Sequence, residues 1–196
     1  MINTKLIFVD GITGSGKSTT AHFICRQLNK NGIKAKWFYE IDQGNPFNFR
    51  PNKAVKTEEE HAKLYLADYT KQLEKLADEF LKDETVYIAE SFLFQDVLNP
   101  LLYWDIDRDT VFNFYKDFIK AVAKLDPVVI HYYQSDVPSA LKKNFQIRGD
   151  SWKANRLAAK EEFAYCKNRN LKGEEGYINF FQEMSDISLI LFKTFD

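Results

Sequence analysis

The sequence predicts an α/β fold, a three-layer sandwich in which helices cover both faces of a parallel sheet. Three observations carry this expectation. Strand-like runs recur at 5–9, 34–41, 85–89 and 128–133. Stretches with apolar residues three and four apart separate them, and a glycine-rich loop joins the first run directly to a helical pattern. Strands that alternate with helices in this way close parallel crossover units.

The run at 5–9 is continuously apolar from Leu6 to Val9, as a strand covered on both faces requires. A helix is expected over 16–30, with Thr20, Ile24 and Leu28 in line and Asn31-Gly32 as its stop. The second strand, 34–41, carries Glu40 near its carboxyl end, the edge where open α/β sheets bind ligands. Residues 42–56 lack periodicity and hold Phe47, Phe49 and Arg50 among prolines and Gly44. Aromatics with one arginine in a loop of that length suit an organic acceptor that carries a polar or anionic group, or the phenylalanines dock on the core.

Thr57-Glu58-Glu59-Glu60 reads as a capping box, and Ala62, Leu66, Tyr69, Leu73, Leu76 and Phe80 mark a long helix. The third strand, 85–89, delivers Glu90-Ser91 to the same edge as Glu40. A further helix is expected over 92–102. Asp105, Asp107 and Asp109 lack the glycine and glutamate of a calcium loop, so they read as capping residues. Val111, Phe114, Phe118, Val122 and Leu125 form a core-facing stripe that stops at Asp126-Pro127.

The fourth strand holds His131, read like His22 and His61 as structural. Asp136 caps the next helix, with Pro138 in its first turn. The region 140–160 reads as a lid, with one helix expected over 151–168. Its cations Arg148, Lys153 and Arg156 either close over phosphates or form a solvated surface run. Residues 174–195, with Ile178, Phe181, Met184, Leu191 and Phe195, suit a helix better than a strand at 187–192.

With 196 residues, 45% apolar and 28% charged, the chain is long enough for a single domain over 1–196 with its own core. A net charge near −1 offers no basic field for nucleic acid. Cys25 and Cys166 show no metal or disulfide spacing, and the first apolar run is too short for a signal or a membrane span. A cytoplasmic protein without membrane partners is expected.

The chemistry concentrates at Gly11-Ile12-Thr13-Gly14-Ser15-Gly16-Lys17-Ser18, which satisfies the G-x-x-x-x-G-K-[S/T] spacing in its strand–loop–helix context. Gly11, Gly14 and Gly16 let successive backbone amides converge on phosphate oxygens, and the loop from Gly11 to Thr19, Thr13 and Ser15 included, is the expected ATP cradle. Lys17 bridges the β and γ phosphates, while the Ser18 hydroxyl is placed to ligate Mg2+. Helix polarity favours the same anion. Glu40 or Glu90 would accept an acceptor's proton or order the metal and its waters, with Glu90 the candidate metal group. Either carboxylate could instead cap the segment that follows it. Asp10 is assigned to loop geometry.

The stretch from Phe8-Val9-Asp10-Gly11 through Ser18-Thr19 resembles the first motif of thymidylate kinases and related nucleotide and deoxynucleoside kinases of the P-loop NTPase superfamily. Asp136-Val137-Pro138, Leu141 and Ile147-Arg148-Gly149 are similar to the segment that leads into their arginine-bearing lid. The resemblance implies strand order 2-3-1-4, with a fifth strand in some members, MgATP as donor, and transfer of the γ-phosphoryl group to a small-molecule acceptor such as a nucleoside or nucleotide. It implies closure of Arg148 and Arg156 over the phosphates, and a homodimer as the common assembly. Thymidylate kinases carry an Asp-Arg pair where this chain has Glu90-Ser91. Deoxynucleoside kinases carry a basic glutamate after the second strand, where Glu40 stands. An ATPase and a nucleotide-binding module without turnover are the rival readings, and a guanine-recognition Asn-Lys-x-Asp motif is missing.

Overall fold

The computed structural model of the chain describes residues 3–52 and 54–194. Among them, β1 (Leu6–Gly11), β2 (Ala35–Phe38), β3 (Val86–Glu90) and β4 (Val128–Tyr132) form one four-stranded sheet. All three pairings are parallel and the order is β2-β3-β1-β4, as the resemblance implies. This is the P-loop NTPase arrangement.

Side-chain alternation along β1 divides the core. Leu6 and Phe8 point into a large cluster, while Ile7 and Val9 point into a smaller one with Ala21 of α1 (Lys17–Lys30) and Ile88 of β3. The larger side is covered by α2 (Glu58–Phe80) and α4 (Arg108–Val122), whose phenylalanine and tyrosine rings meet Phe8 and Phe92. Each such ring removed from water stabilises the fold by roughly 2–3 kcal/mol. Beyond them lie α3 (Val97–Tyr103), α5 (Val137–Arg148), α6 (Asp150–Glu161), α7 (Ala164–Asn168) and α8 (Gly173–Phe192).

The helix starts follow the sequence. Asp107 accepts from the amide of Thr110 at 2.9 Å, and Asp136 accepts from that of Ser139 at 3.0 Å. Thr57 accepts from the amide of Glu60 at 3.2 Å, but the Glu60 carboxylate reaches back to the amide of Lys56 rather than to Thr57. The C-terminal segment is helical as expected; Phe195 lies outside the described residues.

Three boundaries differ from expectation. β2 ends at Phe38, because Asp42 takes the amide of Tyr39 at 3.2 Å and Asn45 donates to its carbonyl at 3.1 Å, drawing 39–45 out of the sheet. The helix expected over 92–102 begins as a π turn, Phe92–Asp96, because Asp10 accepts from the amides of Phe94 and Gln95. The helix expected over 151–168 is two: the backbone is extended at Phe163, whose ring stacks on Tyr103 at 3.9 Å.

Candidate functional site

Register brings the site together. Phe38 pairs with Ala89 and Val9 with Glu90, so the chain after β2, the end of β3 and the loop after β1 meet at one carboxyl edge. In the loop, Gly14 and Gly16 take φ of 81° and 95°, which L side chains rarely adopt. Gly11 is needed for room as well as for its φ of 149°: a Cβ there would lie 2.8 Å from the Tyr132 backbone oxygen. At Gly14 a Cβ would press to 3.3 Å on the Asn144 amide of α5.

Lys17 is buried, and its ammonium donates to the carbonyl of Ile12 at 3.0 Å, bending the side chain back over the loop. Ser15 Oγ is buried within the loop without a partner among the described residues. Beside it lies a cavity of about 370 Å³ lined by Thr13, Gly14 and Ser15 on one side and Lys143, Asn144 and Ile147 on the other. The free amides at the start of α1 and the left-handed glycines fit a phosphate chain.

Ser18 Oγ donates to Glu90 Oε1, and the other oxygen of Glu90 accepts from the Trp37 indole at 3.1 Å. Glu90 is therefore not a helix cap. Burial raises its pKa most, and Glu40 raises it further, against the bonds from Ser18 and Trp37. Glu40 accepts from the side-chain Nε2 of Gln95 at 2.9 Å, which holds it beside Glu90 without making it a cap. A hydroxyl and a carboxylate so joined fit a Mg2+ ion that keeps most of its waters. Among the described residues no group of three or more His, Cys, Asp and Glu side chains is arranged to hold a metal by itself. Asp10, fully buried, accepts from the amides of Gly11, Phe94 and Gln95, and burial moves its pKa up to about 6 against the pull of Lys17. It ties the loop to the start of the π turn.

A second cavity, of about 450 Å³, opens between the 42–56 loop, α2 and α3. Phe49, Tyr65, Phe92, Tyr103 and Trp104 supply most of its wall, with Asp96 among them. Phe47 also reaches it but is buried, so the loop both docks on the core and faces the cavity. His61 is set between Phe49 and Trp104 on the same wall. His131 is packed by Phe94 and Phe192 and approaches Ser188 Oγ at 3.3 Å, a structural histidine whose pKa burial lowers.

Asp96 is the functional candidate that pattern reading missed. Its signal was present: it is the one charged residue in the apolar run 92–102. Burial, then Asp10 and Glu40, push its pKa up to about 8, and no hydrogen bond from the described residues meets its carboxyl. Ser91, just before the π turn, is left-handed with φ of 61°, and its hydroxyl is buried without a partner among the described residues.

The lid cations are not gathered at the loop. The guanidinium groups of Arg148 and Arg156 both lie over the Trp152 ring, at 5.9 Å and 5.4 Å. Lys153 is paired with Glu174 at 2.6 Å. The left-handed Gly149 separates α5 from α6. Behind Tyr103, Lys160 is buried in a cage of rings, with Nζ 3.9 Å from the centroid of Tyr103 and 4.3 Å from that of Phe180. No helix among the described residues is long and apolar enough to cross a membrane.

No protein-family model matches the chain. It is 26% identical over 148 residues to a thymidylate kinase of Brachyspira hyodysenteriae, a match covering 74% of this chain and 70% of that protein. Together with the strand order, this bears out the resemblance carried by the loop and the lid segment.

Proposed function

From the premise of a thymidylate kinase-like chain on a P-loop fold, we propose that it transfers the γ-phosphoryl group of MgATP to a hydroxyl of a small-molecule acceptor. The relative's name brings nucleosides and nucleotides forward as acceptors. The observation that carries the proposal is the bond between Ser18 and Glu90, which joins the phosphate loop to the carboxylate edge of the sheet.

The loop amides and Lys17 bind and align the phosphate chain, a positioning effect that alone lowers barriers by several kcal/mol. Mg2+, held through Ser18 and Glu90, supplies charge neutralisation on the β and γ phosphates when bound. Glu40 and Glu90 sit where an acceptor hydroxyl would lose its proton, and Glu40 is the one of the two that is free of the metal. The cavity walled by Phe49 and Trp104 opens beside Asp96, the residue next to the Gln95 that holds Glu40, and serves as the acceptor site. Arg148 and Arg156 on the α5–α6 lid swing from Trp152 toward the phosphates when the lid closes about Gly149.

Transfer of labelled γ-phosphate across a library of nucleosides, nucleotides and other alcohols tests the proposal, with Lys17→Ala beside the parent chain. Labelled product that depends on Lys17 is expected. Label released only as inorganic phosphate, at one rate with every acceptor, would move the chain to the ATPases.

A further inference from the structure

The acceptor cavity has a charge that its aromatic walls do not explain. Phe49, Tyr65 and Trp104 offer ring faces and edges, yet among the described residues no lysine or arginine lines it. Its acidic groups are Asp96 and Glu58. Behind Asp96, the carboxylates of Asp10, Glu40 and Glu90 are all close enough to raise its pKa, against the single ammonium of Lys17. A phosphate placed here would meet the carboxylates on the sheet side and, among the described residues of the wall, no counter-ion beyond the His61 imidazole. The lid does not supply one in this structure: Lys153 is taken by Glu174, and Arg148 and Arg156 are held at Trp152.

Rings around a carboxylate are a recognised chemistry. An aromatic cage attracts a cation through the ring quadrupoles, and an unpaired acid at its side completes the charge by giving up its proton as the cation arrives. The molecule already sets one ammonium among rings, Lys160 among Tyr103, Phe163, Phe180 and Phe181, but with no acid beside it: its nitrogen donates to the Tyr103 hydroxyl, and burial lowers its pKa. Tyr103 and Phe163 are shared walls, close to Lys160 and also lining the acceptor cavity. The cavity is a second ring-walled space, and it has the acid, Asp96, that the first lacks.

We propose that the cavity selects a phosphate-free acceptor bearing a protonated or quaternary nitrogen, which is held by Asp96 and the rings of Phe49, Tyr65 and Trp104. This rests on the kinase reading and narrows its acceptor away from nucleoside monophosphates. In the transfer, the acceptor oxygen forms a bond to the γ-phosphorus as the bond from that phosphorus to the β–γ bridging oxygen breaks. The hydroxyl proton passes to Glu40 or Glu90, and the products are a phosphate monoester and ADP.

Isothermal titration with two probes of one shape separates charge from bulk. Benzyl(2-hydroxyethyl)dimethylammonium carries the cation, and 3,3-dimethyl-4-phenylbutan-1-ol replaces its nitrogen by carbon. The cation is expected to bind the parent chain about tenfold more tightly than its carbon counterpart, and Asp96→Asn to reduce that preference to about threefold or less. Equal binding of the two probes by the parent chain overturns the proposal, whether or not the variant folds. So does tighter binding of thymidine monophosphate than of the cation. Lys17-dependent transfer to thymidine monophosphate would leave the kinase reading standing while this inference fails. A cation preference without phosphoryl transfer to any acceptor would do the reverse, sustaining the cavity's selectivity and removing the kinase reading.

Discussion

The phosphate loop and the aromatic cavity lie at the same sheet edge and are built by opposite means. The loop is one continuous stretch whose shape is a backbone property: glycines at left-handed angles, Lys17 bonded to the Ile12 carbonyl, and Asp10 gathering three amides. The cavity is a side-chain property assembled from the 42–56 loop, α2, α3 and the break at Phe163, and its acid accepts no bond from the described residues. A preformed backbone cradle serves a ligand whose chemistry never changes, such as a triphosphate. A wall of separate side chains can be changed one residue at a time, which is how a shared fold takes different acceptors.

The sharpest test of the backbone half is Lys17→Ala. It removes the single side-chain cation of the cradle, and phosphoryl transfer is expected to fall about a thousandfold, or about 4 kcal/mol in the barrier. Single-turnover rates with labelled ATP measure this; a loss below about tenfold would mean that the loop is not where transfer occurs. Next in size is Gly11→Ala, which should lower stability by roughly 3 kcal/mol and the melting temperature by about 6–12 °C. The added methyl meets the Tyr132 backbone at 2.8 Å, whereas at Gly32, also left-handed, it would meet nothing within 4 Å. Gly32→Ala should therefore cost only about 1 kcal/mol. Equal melting temperatures for the two variants would show that conformation alone, and not the close approach to β4, makes Gly11 necessary.

The same contrast explains what could be read without coordinates. Strand order, the loop and the Asp107 and Asp136 caps depend on neighbours in sequence or on a resemblance that spans them, and they stand as expected. That Glu40 and Glu90 share one edge could be read from sequence because each lies at or just past the carboxyl end of a strand, and parallel strands deliver those ends to one edge. What was not legible required contact at long range. The Trp37 indole meets Glu90 across fifty-three positions, and Tyr103 meets Phe163 through a helix break that periodicity does not mark. The π turn at Phe92–Asp96 follows from Asp10, more than eighty residues earlier, so the placement of Asp96 had no local signature beyond a lone charge in an apolar run.

The smallest effects belong to the buried charges of the side-chain half, on the order of 2 kcal/mol each once relaxation is allowed, and their pH dependence runs in opposite directions. Asp96 has its pKa raised from 3.8 to about 8, so the folded chain is favoured while the carboxyl is protonated, and that advantage is lost as pH rises through about 8. Asp96→Asn should match the parent chain in melting temperature near pH 4 and exceed it increasingly toward pH 9. Lys160 has its pKa lowered from 10.5 to about 7, by burial first and then by Arg156, so its cost appears as pH falls from 10.5 through about 7. Lys160→Met should match the parent chain at alkaline pH and exceed it increasingly toward pH 6. Melting curves across this range for both variants give two slopes of opposite sign if each group is held in its unfavoured charge state. A flat difference for Asp96→Asn would mean that solvent already satisfies its carboxylate, and the cavity would lose the unpaired acid that sets it apart from the loop.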